Sequence, residues 1–255
     1  MKPPFFTRFL KPIGDEVLPT QLTLIQHDER PQPLCMLAAK ELQDYLENQK
    51  EWQHNFGLAA EKGTVIGKMF GILLVQNAVK EIGYLAAFSG KLAGSNSYTK
   101  FVPPVFDLLT ENGFLNKGME ELTIMSREIK KLKDLDAVVN KELINNLKVK
   151  RKQHSIALQN EIFNHYYFLN QAGEEKSLIA IFKEAGYKNP PAGAGECAAP
   201  KLLNYAFQNQ LKPLALTEFW WGQSPKSATW KHKQLYAPCK EKCEPILAHM
   251  LKGII

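Results

Sequence analysis

The sequence predicts an α/β fold: a mixed sheet with flanking helices, interrupted by a long helical insertion. Apolar residues run almost without interruption over 69–75 and 82–88, and an aromatic-rich apolar segment follows at 214–221, which together predict the strands. Apolar positions spaced three and four apart over 34–48 predict a helix with one buried face. The same spacing within the lysine- and glutamate-rich stretch 115–170 predicts the insertion.

The domain boundaries follow from these patterns. Residues 1–114 and 171–255 are predicted to form one domain, with 115–170 inserted into it. Within the first segment, 1–33 is predicted to be an irregular arm, because prolines recur there among short apolar runs. A chain of 255 residues with 45% apolar content is long enough to bury a core of this kind.

The first two strands are expected to pair as a hairpin buried on both faces, with a polar turn at 77–81. A glycine-bearing loop follows at 88–94, Phe-Ser-Gly-Lys-Leu-Ala-Gly. Such a loop could cradle a phosphate, but it lacks the spacing of a P-loop, and a tight turn is the interpretation that the sequence favours.

The insertion carries apolar residues at intervals of three and four from Leu115 to Leu147, which predicts a long amphipathic helix, a helical hairpin or a coiled coil. It also holds the densest basic run of the chain. The net charge of +6 favours an anionic partner, so this run is a candidate RNA contact, although many such runs are only solvated helix faces. The candidate nucleic-acid-binding residues are Lys148, Lys150, Arg151 and Lys152, with Lys226, Lys231 and Lys233 as a second group.

Chemistry is most plausible at the cysteines. Cys239 and Cys243 are four positions apart at the predicted start of a helix, so both thiols face one side of it. Cys197 also opens a predicted helix, and a helix N-terminus favours the thiolate that metals need. These three residues are predicted to meet at one zinc ion, with water, Cys35 or His232 as the fourth ligand. Reduced cysteines without a metal remain the alternative, since four cysteines are too few for a secreted disulfide framework.

The order of strand hairpin, helix beginning at Cys197, strand, and helix beginning at Cys239 resembles the layout of zinc nucleoside (cytidine) deaminases. In that family a glutamate two residues after the first ligand moves protons to and from a zinc-bound water. The matching position here is Ala199, and the second cysteine pair is spaced one residue wider than the family's motif. The resemblance therefore implies a structural zinc and a degenerate deaminase site.

A resemblance over most of the chain points to RNA modification. The chain is similar to the region that precedes the catalytic domain in some bacterial RluA-type pseudouridine synthases. That family's catalytic block, His-Arg-Leu-Asp followed by Thr-Ser-Gly, is missing; the nearest string is Lys133-Asp134-Leu135-Asp136. The resemblance implies that a C-terminal catalytic domain would begin near Ile255 and that this chain alone forms no pseudouridine. The segments that carry the resemblance are 33–46, 67–71, 83–94, 101–107, 193–203, 218–222 and 224–226.

The expected function is therefore that of an accessory N-terminal region of an RNA pseudouridine synthase, engaging or positioning rRNA or tRNA. A zinc-dependent deaminase-like enzyme and a structural module that dimerises through the long helix are the alternatives. A cytoplasmic location is expected, because the sequence shows neither a signal peptide nor a stretch of eighteen apolar residues.

Overall fold

The computed structural model describes residues 3–14, 18–19, 22–24, 31–60, 63–110 and 113–253. Its mixed α/β structure divides into two compact units, which we call the sheet unit and the hairpin unit. The sheet unit comprises Met1–Val105 with Tyr167–Ile255, and the hairpin unit comprises Phe106–Tyr166.

The sheet unit contains four described helices and seven described strands. In chain order these are β1 (Thr23–Leu24), α1 (Pro33–Asn48), β2 (Lys68–Gln76), β3 (Ile82–Phe88), β4 (Tyr167–Leu169), β5 (Glu175–Ser177), α4 (Leu178–Glu184), α5 (Ala198–Gln208), β6 (Lys212–Trp221), β7 (Leu235–Tyr236) and α6 (Lys240–Met250). The hairpin unit contributes α2 (Phe114–Asp136) and α3 (Lys141–Asn164).

The main sheet is mixed and has the order β1-β6-β2-β3, with β7 also pairing with β6. Strand β2 is antiparallel to both of its neighbours, whereas the short β1 is parallel to β6. The register between β2 and β6 shifts after Leu74, where Val75 pairs with Pro213. Proline has no N–H to donate to the ladder, which accounts for an irregularity at that point.

Both faces of β2 are buried, as the unbroken apolar run predicts. Successive side chains of a strand point to opposite faces. Phe70 and Ile72 pack in an apolar cluster with α1, and the Phe70 ring stacks on Phe219 with centroids 5.7 Å apart. On the other face a Cβ added to Gly71 would lie 2.8 Å from the Cβ of Ala198. The missing side chain at Gly71 therefore lets α5, and with it Cys197, approach the sheet closely.

The hairpin unit resolves the alternatives left open for the long apolar repeat. Its two helices run antiparallel, with Leu132, Ile144 and Leu158 buried between them. The Asp136 carboxylate ends α2, because its Oδ1 accepts hydrogen bonds from the N–H groups of Val138 (2.8 Å) and Val139 (3.0 Å). The predicted insertion is thus a helical hairpin rather than one continuous helix.

Four features differ from the sequence-based expectation, one of them the two-residue strand β7, where no strand was predicted. The predicted irregular arm contains strand β1, which adds to the edge of the sheet. The hairpin β4–β5 and the short helix α4 were not predicted, because three-residue strands and a seven-residue helix are too short to show a hydrophobic period.

Among the described residues, no helix is both long and apolar enough to cross a bilayer.

Candidate metal centre

Two helix starts position the three candidate ligands. Cys197 is the N-cap residue of α5 and Cys239 is the N-cap residue of α6, both with extended backbone. At α6 the Cys239 thiol accepts hydrogen bonds from the N–H groups of Lys242 and Cys243, whereas at α5 the N–H of Ala199 donates to the Glu218 carboxylate. Cys243 lies one turn into α6 and is fully buried. All three thiols therefore experience the positive end of a helix dipole, which favours thiolates.

The three sulfur atoms form one cluster. The Sγ atoms of Cys239 and Cys243 are 3.2 Å apart, and those of Cys197 and Cys239 are 3.9 Å apart. All three lie within 4.8 Å of one another, although 42 residues separate Cys197 from Cys239. A tetrahedral zinc ion with Zn–S bonds of about 2.3 Å places its sulfur ligands roughly 3.8 Å apart. The donor set and its spacing thus fit zinc.

The two proposed fourth ligands lie elsewhere. Cys35 packs in an apolar cluster with Leu74 and Leu214, and burial raises the pKa of its thiol to about 12. The Nδ1 atom of His232 accepts a hydrogen bond from the N–H of Gly222 at 3.1 Å. Neither belongs to the thiol cluster, so the predictions of Cys35 and His232 as ligands were wrong. Of the predicted set, only a water then remains for the fourth position.

The cluster concentrates negative charge on one thiol. Hydrogen bonding with Cys197 and Cys243 holds the pKa of Cys239 well below its usual value. Hydrogen bonding with Cys239 raises the pKa of Cys197, hydrogen bonding with Cys197 and Cys239 raises the pKa of Cys243, and burial raises both. A divalent cation would relieve this competition by favouring the thiolate form of all three residues.

A buried carboxyl group that the sequence did not predict lies beside the cluster. Glu218 lies on β6, is 3% exposed, and its Oε1 accepts a hydrogen bond from the Ala199 N–H at 3.0 Å. Burial, together with the charge of Cys239, raises the pKa of Glu218 to about 8 against the opposing effect of the Ala199 hydrogen bond. The available signal was an acid within a largely apolar strand, in a segment that carries the family resemblance. Glu218 therefore brings an ionisable group to the backbone of Ala199.

The predicted basic residues divide between the two units. Lys148, Lys150, Arg151 and Lys152 lie on α3 of the hairpin unit and are exposed. Lys226 and Lys231 are exposed in the segment between β6 and β7. Lys233 forms an ion pair with Glu47, and its Nζ lies over the Trp221 ring. Lys233 is thus already engaged within the chain, whereas among the described residues the α3 group forms no ion pair.

Comparison of the chain with protein-family models, with curated protein sequences and with solved structures gives no match. The functional argument therefore depends on the residues and their geometry.

Proposed function

We propose that this chain is a zinc-binding accessory region that engages RNA for an RluA-type pseudouridine synthase. The resemblance of its sequence to the region preceding that catalytic domain supports the assignment. A deaminase-like layout for the sheet unit is supported by the order of its elements: the β2–β3 hairpin, α5 beginning after Cys197, β6, and α6 beginning after Cys239. In this proposal Cys197, Cys239 and Cys243 hold the zinc, which fastens the first turns of two helices together.

The observation that carries RNA engagement is the distribution of charge along the hairpin unit. Residues 127–152 hold nine basic and four acidic residues, a net charge of +5. The rest of 106–166 holds one basic and five acidic residues, a net charge of −4. Because α2 and α3 are antiparallel and joined at 137–140, the basic residues of both helices fall in the half that contains the turn. One end of the hairpin is therefore positive and the other negative.

The basic side chains of this half are free to meet phosphates. None of the nine forms an ion pair within the described part of the chain. On α2, the residues Arg127, Lys130 and Lys131 recur at intervals of three and four and so share one helix face. Lysine and arginine bind RNA phosphates with release of counterions, which makes the affinity fall as salt rises. A separated positive surface of this kind favours an RNA backbone over a neutral partner.

The test is RNA affinity as a function of salt. Binding of a tRNA mixture and of rRNA fragments is measured by fluorescence anisotropy from about 50 to 200 mM salt. Replacing Lys148, Lys150, Arg151 and Lys152 with serine removes four positive charges and should reduce the slope of log K against log salt by about 3. The matched control replaces the exposed Lys226 and Lys231, which lie in the sheet unit, and should leave most of the slope.

Unchanged affinity and slope in the fourfold serine variant would contradict RNA engagement through the hairpin. Loss of binding only in the Lys226 and Lys231 variant would do so as well. Circular dichroism of each variant confirms that the helices have formed.

A second candidate function, a zinc-dependent deaminase-like enzyme, is favoured by the position of Glu218. Ala199 has no side chain that could move a proton, but the carboxyl of Glu218 reaches the Ala199 N–H. Zinc would supply Lewis-acid activation of water when bound. The test is release of ammonia from cytidine, adenosine and RNA by the zinc-loaded chain, compared with Glu218→Gln. If none of these substrates releases ammonia, the deaminase function is contradicted and the accessory role is the one candidate function left.

A further inference from the structure

Three aromatic side chains contact one another where β6 pairs with β7. Trp220 lies on β6, Trp230 lies in the segment between the two strands, and Tyr236 lies on β7. The rings of Trp220 and Trp230 are 21° from parallel with centroids 6.3 Å apart, and the ring of Tyr236 meets Trp230 edge to face at 4.7 Å. All three side chains are partly accessible to solvent. We call this set the aromatic cluster.

The aromatic cluster is separate from the aromatic core of the sheet unit. Phe219 and Trp221 belong to the buried apolar cluster beside α1, so Trp220 between them points to the other face of β6. Tyr236 pairs with Glu218, and residues directly opposite each other in antiparallel strands share a face. The rings of the aromatic cluster therefore lie on the Glu218 face of the sheet, outside the core that holds the fold together.

Hydrogen bonds fix the aromatic cluster in place. The indole N–H of Trp220 donates to the carbonyl of Gln223 at 3.1 Å, and the backbone N–H of Lys231 donates to the Tyr236 hydroxyl at 2.7 Å. The indole N–H of Trp230, by contrast, has no hydrogen-bond partner among the described residues. Trp230 is thus held by its neighbours before any ligand arrives, which reduces the entropy lost when a ligand binds to it.

The segment that carries Trp230 is basic. Residues 219–238 contain no acidic residue and three lysines, namely Lys226, Lys231 and Lys233. Lys233 pairs with Glu47, whereas the other two are exposed and form no ion pair within the described part of the chain. Of the acidic groups next to this segment, Glu218 is buried and the Cys239 thiol belongs to the three-sulfur cluster. Two exposed positive charges therefore remain in the same segment as Trp230.

This combination of groups matches the chemistry of a nucleotide. A base presents a flat π-face that stacks on an aromatic ring, and the phosphate attached to it is attracted by lysine. The exposed lysines disfavour the cationic ligands that aromatic cages bind. Bases within an uninterrupted duplex are already stacked on one another, so the ring of Trp230 suits an unpaired base.

We propose that the aromatic cluster is a stacking platform for an unpaired base of single-stranded RNA, with Trp230 as the residue that contacts the base. Lys226 and Lys231 attract the backbone on either side of that base. This site rests on the proposed engagement of RNA and specifies the class of RNA that the sheet unit binds.

The probes are a short single-stranded oligoadenylate and a fully paired RNA duplex of the same length, each titrated into the full chain. Trp230→Leu should weaken binding of the oligoadenylate by about tenfold, because it removes the ring while keeping an apolar side chain. The dependence of affinity on salt should not change, since no charge is removed. The matched control is Tyr187→Leu, which removes a 44% exposed aromatic residue elsewhere in the sheet unit and should bind as the native chain does.

A second variant provides a readout that does not depend on a loss of affinity. Trp230→Phe keeps an aromatic ring and should retain most of the affinity for the oligoadenylate. The native chain should lose tryptophan fluorescence when the oligoadenylate binds, because the base stacks on an indole ring, and Trp230→Phe should lose most of that quenching. Thermal unfolding of each variant confirms that it is folded.

The outcomes separate this site from RNA engagement by the hairpin unit. Binding that depends on Lys148, Lys150, Arg151 and Lys152 but is equal in Trp230→Leu and the native chain would overturn the stacking site alone. Binding that depends on Trp230 but is unchanged in the fourfold serine variant would overturn the hairpin contact and support the stacking site. Tighter binding of the duplex than of the oligoadenylate would also overturn the stacking site, as would binding of a proline-rich peptide in place of the oligoadenylate.

Discussion

Replacing the Cys243 thiol tests the metal centre most directly. Cys243 is fully buried and belongs to the three-sulfur cluster. The substitution Cys243→Ser keeps the size of the side chain while removing a zinc ligand. Cys35→Ser is a matched control, because Cys35 is also buried but packs among apolar residues away from the cluster. Both variants place a hydroxyl group in the interior, so they share that part of the cost, about 1 to 3 kcal/mol.

The metal-dependent part of the stability is separable from that shared cost. A ligand that binds only the folded state at a concentration a hundredfold above its Kd stabilises by about 2.7 kcal/mol. For a chain of this size each kcal/mol corresponds to a change in Tm of roughly 2 to 4 °C. Zinc should therefore raise the Tm of the native chain by about 5 to 10 °C. Cys243→Ser should lose this increment, whereas Cys35→Ser should keep it.

The assay combines elemental analysis with thermal unfolding under reducing conditions, with and without a chelator. The native chain and Cys35→Ser should each carry about one zinc per chain, and their Tm should decrease when the chelator is added. Cys243→Ser should carry none and be insensitive to the chelator. A native chain that holds no zinc after refolding with the metal would refute the argument, as would a Cys243→Ser variant that keeps both zinc and the chelator response.

Two further predictions concern the surroundings of the centre. Burial raises the pKa of Glu218 from 4.5 to about 8, so its contribution to stability is full below about pH 4.5 and is lost as the pH rises toward 8. Glu218→Gln should reduce this pH-dependent loss in the free energy of unfolding, which is of the order of 5 kcal/mol at most. Urea unfolding between pH 5 and pH 8 measures the loss, and an unchanged dependence on pH would count against the buried acid. Gly71→Ala should cost about 1 to 3 kcal/mol and weaken zinc binding, because the new Cβ would lie 2.8 Å from Ala198 and 2.9 Å from Leu202. Gly14→Ala, which meets open space, is the control, and equal stabilities of the two variants would contradict close packing of α5.

Local patterns in the sequence were sufficient for the elements that carry the site. An apolar run without polar interruption predicts a strand buried on both faces, and the hairpin of β2 and β3 has that environment. Cysteines followed by helical periodicity placed Cys197 and Cys239 at helix starts, where the structure has them as N-caps. These predictions succeeded because the hydrophobic period of a strand or a helix can be recognised within about ten residues.

Such local patterns did not show where the long helical repeat breaks into two helices. Apolar spacing continues through Leu135 and Val139 to Leu143, so the period alone does not show where α2 ends. The end is set by the hydrogen bonds that Asp136 accepts and by the packing of Leu158 against Gly118 across the hairpin. Those contacts join residues up to 40 positions apart, which a periodicity cannot register.

The membership of the site was decided by tertiary structure. The sequence singles out Cys197, Cys239 and Cys243 and leaves Cys35 as a candidate fourth ligand, whereas the fold brings the first three together and buries Cys35 among apolar side chains. Glu218 meets the N–H of Ala199 only because β6 lies under the start of α5. By itself, then, the sequence determined which of the longer segments are strands and helices and that thiols stand at two helix starts. The tertiary structure decided which polar groups share one low-dielectric environment, because charge interactions depend on distances through space rather than along the chain.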